Sequence, residues 1–173
     1  MADMLHALIV MTTALSPPSR RLCTVRSMRA PPAVLCSERP PASELVNRLN
    51  PVTLAYLGDS VFEMAVRTRL LWPPAKVNEL SSRVQRVVRA EGQHALLEQV
   101  KSGFGLTEEE EDWLRRGRNA SSRGPRRLDP KIYRASTAFE CLVGYLHLTD
   151  PVRCQALLEF VLERCGAIAD EEE

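Results

Sequence analysis

From about residue 45 onward, apolar side chains recur every three to four positions, and no stretch alternates apolar and polar with period two. The pattern predicts an all-α protein of about five helices without internal repeats. Asn50 followed by Pro51 is a helix start, with a capping side chain and then a proline whose fixed φ suits the first helical position. The stripe Leu54, Leu57, Val61, Met64 and Ala65 carries that helix to Leu71, where Pro73 and Pro74 stop it. A second helix is expected from Asn78, with Leu80, Val84, Val87 and Val88 on one face, continuing through Leu96 and Val100 until Gly103 and Gly105. Thr107 and Glu110 have capping-box spacing and open a third helix, ending near Gly117, whose acidic first turn complements the helix dipole. A Gly/Ser/Pro/Arg-rich loop runs from Arg118 to about Pro130. It leads into a fourth helix carrying Tyr133, Ala138, Leu142, Val143 and Leu146. Asp150 and Pro151 repeat the Asn-Pro device and open a last helix through Leu157, Leu158, Val161 and Leu162.

Composition divides the chain. Residues 1–44 contain Arg20, Arg21, Arg26, Arg29 and Arg39, abundant Ser and Pro, and acids only at Asp3, Glu38 and Glu44. This is the make-up of an organelle transit peptide. Met4 to Leu15 is apolar enough to imitate a signal sequence, so a bipartite leader and an unaddressed tail both remain open. Residues 45–166 are expected to hold one domain, and 167–173 an acidic tail. No apolar run approaches the roughly 20 residues that cross a bilayer, so no membrane partner is expected. The five cysteines contain no C-x-x-C pair and read as free thiols. Three histidines, one of them in the leader, give poor support to a Ser/His/Asp or Cys/His triad, which leaves carboxylates and metal as the plausible hydrolytic chemistry.

The net charge of +1 conceals a basic stripe: Arg115, Arg116, Arg118, Arg123, Arg126, Arg127, Lys131 and Arg134 lie in a stretch whose only acid is Asp129. Such a stripe on a nearly neutral domain implies a polyanion met on one face. With aromatics at 5% and only Tyr133 among the basic residues, stacking on single strands is disfavoured. Duplex RNA, read through phosphates and 2′-hydroxyls, suits it better. Arg116, Arg118, Asn119, Arg126, Arg127, Lys131 and Arg134 are the candidate RNA contacts.

Two segments carry the chemistry. Leu54-Ala-Tyr-Leu-Gly-Asp-Ser-Val-Phe-Glu63 puts Gly58 and Asp59 within an amphipathic helix, where a glycine costs about 1 kcal/mol against alanine and implies close approach of another backbone. Asp59 among apolar neighbours needs a hydrogen bond, a base or a metal. In Ser136-Thr-Ala-Phe-Glu-Cys-Leu-Val-Gly-Tyr145, Glu140 repeats the theme beside Gly144. Carboxylates converging from facing helices are a common way to hold Mg²⁺ or Mn²⁺. No small-molecule cofactor is called for.

Leu57-Gly-Asp-Ser-Val61 resembles the core of the ribonuclease III signature. Ser136 to Tyr145, preceded by Arg116-Gly-Arg-Asn-Ala120 and Tyr133-Arg134, resembles the mini-ribonuclease III subgroup of bacteria and plastids, which lacks a double-stranded RNA-binding domain. The likeness covers roughly Leu49 to Leu148. It implies a helical, dimeric, metal-dependent endoribonuclease leaving 5′-phosphate and 3′-hydroxyl ends. The setting it implies is a chloroplast, with the mitochondrion as alternative, and a role in processing ribosomal or other structured RNA. Asp59 and Glu140 match the family's catalytic, metal-binding acids. Where the larger enzymes carry two further acids, this chain has Ala55 and Thr137, as the mini subgroup does, which leaves the number of ions open. Asp129 matches a subgroup aspartate and is either a third ligand or an Asp-Pro helix cap. Glu63 either orients Asp59 or pairs with Arg67. The resemblance also places the Leu57–Val61 region across a two-fold axis, with Tyr56, Gly58 and Phe62 as candidate interface residues, Tyr56 and Phe62 being equally suited to the core. The competing reading is an inactive ribonuclease-like scaffold on RNA.

Overall fold

A computed structural model describes residues 40–121 and 124–170. The leader up to residue 39, Arg123 and the last three acids of the tail lie outside the described residues. Among the described residues eight helices follow in order: α1 (Ala42–Arg48), α2 (Pro51–Leu70), α3 (Val77–Val88), α4 (Ala90–Gly103), α5 (Glu108–Ala120), α6 (Pro130–Thr149), α7 (Pro151–Leu162) and α8 (Cys165–Ala169). No strand occurs among the described residues.

Three of the expected starts are present as local hydrogen bonds, whereas Asn78 is not a cap, since α3 begins at Val77 with Lys76 before it. Asn50 accepts from the Val52 amide at 3.0 Å, and Asp150 from the Arg153 amide at 2.9 Å. The Thr107–Glu110 box closes in both directions, at 3.2 and 2.8 Å. The extent of the expected second helix also needs correction. The single long helix from Asn78 is two helices, broken where Arg89 is extended (φ −64°, ψ 159°). Neither proline nor glycine sits at the break. The marker is Gly92 just after it, where a Cβ would overlap the Arg86 and Val87 carbonyls, so only glycine lets α4 turn so tightly off the end of α3. Helix α1 begins inside the segment assigned to the leader. Helix α8 reaches Ala169, three residues into the expected tail, and is tied back by the Arg86 guanidinium, which donates to the Ala169 carbonyl at 2.7 and 2.9 Å.

Helix α6 is the axis of the fold: eleven of its residues are buried, and α1, α2, α4, α5 and α7 all pack on it. Its closest neighbour is α2. A Cβ at Gly144 would stand 2.8 Å from the Leu54 carbonyl carbon, and one at Gly58 would stand 2.7 Å from the Gly144 amide nitrogen. Both distances are far below ordinary contact, so the facing glycines let the two backbones touch. Phe62 and Phe139 fill the space beside this contact edge to face, 5.1 Å between centroids, both fully buried.

Candidate active site

The Gly58–Gly144 approach decides where the two candidate acids go. Asp59 follows Gly58 on α2, and a Cβ at Gly58 would overlap the Glu140 carbonyl oxygen. Residues 81 positions apart in sequence are thereby held side by side. Their electrostatics agree. Burial, reinforced by the charge on Asp59, pushes the Glu140 carboxyl up to about 7. Burial and then the nearby Glu63 raise Asp59 as well. Two half-buried carboxylates this close resist being charged together, a conflict that a divalent cation would relieve.

A third group stands with them. Gln93 of α4 lies beside both carboxylates and favours their charged forms. Its residue is 1% exposed, yet neither Nε2 nor Oε1 has a hydrogen-bond partner of acceptable geometry. Sequence reading missed it. The available signal was a polar residue on the apolar stripe of α4, in register with Leu96, Leu97 and Val100.

The remaining expected ligands do not join the pair. Asp129 caps α6, accepting from the Lys131 amide at 2.8 Å. Eleven residues of helix, about 16 Å of rise, separate it from Glu140, so the cap reading holds and the ligand reading is withdrawn. Thr137 donates its hydroxyl to the Tyr133 carbonyl at 3.1 Å, and Ala55 is buried in α2. No three His, Cys, Asp or Glu side chains converge as a metal cluster among the described residues. The groups that could hold a cation are therefore the two carboxylates, with the amide beside them, a set that would fit an ion keeping most of its own waters, as Mg²⁺ does. Glu63 pairs with Arg67 (Nε to Oε1, 3.0 Å), the second of its two expected roles, and its negative charge raises the Asp59 carboxyl.

Two interface candidates are corrected. Gly58 finds its close neighbour in α6 of the same chain, and Phe62 is 0% exposed in the core. Tyr56, 80% exposed, points outward with Val52 and Met64 along α2.

Of the basic residues, Arg118, Asn119, Lys131 and Arg134 line one open groove of about 980 Å³ between α4, α5 and α6. Lys101 and Arg115, not singled out beforehand as contacts, line it too. Arg116 does not. It is held by Asp112 at 2.6 Å and stacks over Trp113, 4.7 Å from the ring centroid. Arg126 and Arg127 are exposed in the turn before α6, outside the groove lining.

Residues 52–151 match the ribonuclease III domain. The chain belongs to the ribonuclease III family. A mini-ribonuclease 3 of Synechocystis sp. is 42% identical over 125 residues, covering 72% of this chain and 86% of that one. A mini-ribonuclease 3 of Gloeobacter violaceus is 49% identical over 113 residues, covering 65% and 82%. A crystal structure of a Fusobacterium nucleatum protein superposes with a TM-score of 0.62 at 22% identity, over 69% of this chain and 96% of that one, a likeness of fold. By family the chain is an endoribonuclease, and the matched ribonuclease III domain contains α2 through α6 with both acids and the groove. No helix among the described residues is long and apolar enough to cross a membrane.

Proposed function

We propose that the chain cleaves double-stranded RNA using a divalent cation, Mg²⁺ or Mn²⁺, held by Asp59 and Glu140. The observation that carries this reading is the juxtaposition of those two carboxylates by the Gly58–Gly144 contact, with both acids raised by burial and neighbouring charge. When bound, the ion would supply a hydroxide equivalent and stabilise charge on the scissile phosphate. The protein's own part is positional. Asp59 and Glu140 hold their carboxylates from two rigid helices, and Glu63, anchored by Arg67, keeps further negative charge near Asp59. The groove cations would grip the sugar-phosphate backbone; lysine and arginine without interleaved aromatics suit an A-form duplex. Products would carry 5′-phosphate and 3′-hydroxyl ends.

A homodimer completes the proposal, since two strands call for two equivalent sites. Support comes from the exposed apolar residues Val52, Tyr56 and Met64 on the outer side of α2. The Arg-rich, acid-poor leader supports delivery to a chloroplast, or alternatively a mitochondrion, where ribosomal precursors or other structured RNAs would be substrates.

The test is cleavage of a generic RNA duplex with Mg²⁺ and with EDTA, by the wild type, Asp59→Asn and Glu140→Gln. Cleavage should need the ion and fall by roughly 10²–10³ or more in either variant, a loss typical of removing one electrostatic stabiliser at the reacting centre. Cleavage that survives in Asp59→Asn rejects the proposal.

A further inference from the structure

We propose that Gln93 is a positioning residue of this site, its carboxamide holding the Asp59–Glu140 pair on one side and accepting a hydrogen bond from a cation-bound water on the other. The inference rests on the two-carboxylate reading above and goes beyond it by assigning a third group, supplied by a third helix.

The argument begins with a cost. An amide buried without partners destabilises a protein by about 1–3 kcal/mol, and Gln93 has both polar ends unpaired at 1% exposure. Its neighbours on the same face of α4 are Leu96, Leu97 and Val100, all buried, so leucine or methionine would fill the position without that penalty. A polar group kept where an apolar one would pack better points to a task outside folding. Its location names the task. Gln93 stands beside both acids and nothing else polar satisfies it. An amide offers both functions required on two separate atoms: Nε2 donates to a carboxylate oxygen and fixes its rotamer, while Oε1 remains free to accept from water. Ion-bound waters are strong donors, and Mg²⁺ at a site with few carboxylates keeps several of them. The orphaned amide and a hydrated ion complete each other.

The experiment measures Mn²⁺ affinity by calorimetry and thermal stability in EDTA, on the full chain, for the wild type, Asp59→Asn, Gln93→Leu, Gln93→Met and Gln93→Glu. Gln93→Leu and Gln93→Met should melt at the same temperature as the wild type or higher, yet bind Mn²⁺ about tenfold more weakly, the worth of one hydrogen bond to a charged group. Gln93→Glu keeps an acceptor there and should bind at least as tightly as the wild type. A residue that merely packs predicts the reverse: lower melting temperature and unchanged affinity. Wild-type Mn²⁺ affinity in both apolar variants overturns the proposal, as does a Gln93→Glu affinity as weak as theirs. If Gln93→Leu does not fold, Gln93→Met and Gln93→Glu decide the matter alone. Mn²⁺ binding unchanged in Asp59→Asn would instead reject the carboxylate site itself, a separate outcome.

Discussion

Gly58 lies so close to Glu140 that a single methyl group on it would overlap the Glu140 carbonyl oxygen. This contact is both packing and chemistry, because the next residue of α2 is Asp59. The distance between the two acids is set by main-chain atoms, which relax far less than side chains.

Gly58→Ala separates two opposed effects. Alanine gains about 1 kcal/mol of helix propensity, whereas forcing a methyl against a backbone costs typically 1–3 kcal/mol or more. The steric effect should win because the atom met is a carbonyl oxygen on the central helix. Urea unfolding should show a net loss of about 1–2 kcal/mol, with weaker Mn²⁺ binding as the helices part. An unchanged or higher midpoint would contradict the close approach.

The raised acid gives a pH dependence with a defined sign. Glu140 titrates near 7 in the folded protein against an ordinary 4.5, so between those values the native state holds a proton that the unfolded chain has released. Metal-free stability attributable to Glu140 is therefore present at pH 4.5 and lost as pH rises toward 7, by about 3 kcal/mol at most. Urea midpoints in EDTA at pH 5 and 7.5, compared between the wild type and Glu140→Gln, isolate this contribution. Mg²⁺ should flatten the wild-type curve. A wild-type curve parallel to that of the variant would refute the assignment.

Glu110 is the control for stability without chemistry. It is 3% exposed and receives Arg153 through Nε at 2.7 Å and a terminal nitrogen at 3.0 Å. It also closes the cap with Thr107. Glu110→Ala leaves the guanidinium and the helix start without their acceptor, and should cost about 2–3 kcal/mol, discounted because Arg153 is partly solvated. Mn²⁺ affinity should not change. A change would mean that α5 and α7 support the acid pair.

The groove makes a graded prediction about charge. Arg118→Ala, Lys131→Ala and Arg134→Ala should each weaken duplex binding and lower the salt slope by about 0.7–0.9, as loss of one phosphate contact does. Arg116→Ala should have a smaller effect on the slope, since its guanidinium is held by Asp112 and Trp113. Binding measured between 50 and 200 mM salt provides the comparison. Equal slopes for all four variants would remove the distinction.

Much of this was legible in the sequence, and the exceptions have physical causes. Asn50, Thr107 and Asp150 announced their helices because capping is local, settled within three residues. Asp59 and Glu140 stood out as acids on apolar stripes beside glycine, and the glycines proved to be the contact between their helices. The break at Arg89 was hidden because tertiary packing imposes it through Gly92. Asp129 was either a ligand, by its match to a subgroup aspartate, or a helix cap, and the helical residues between it and Glu140 leave the cap. Phe62 could have been interface or core on periodicity alone, and Phe139 decides for core. Gln93 was overlooked because an amide is the least conspicuous polar intruder in a leucine stripe, and its meaning depends on two other helices.

Gln93 and His94 are consecutive residues of α4, one beside the acids and the other in the wall of the cationic groove. A single peptide unit thus belongs to both places, and a polyanion that shifts this wall must shift the amide with it. Any resulting linkage is reciprocal by thermodynamic necessity: whatever factor the nucleic acid adds to the ion's affinity, the ion returns in full to the nucleic acid.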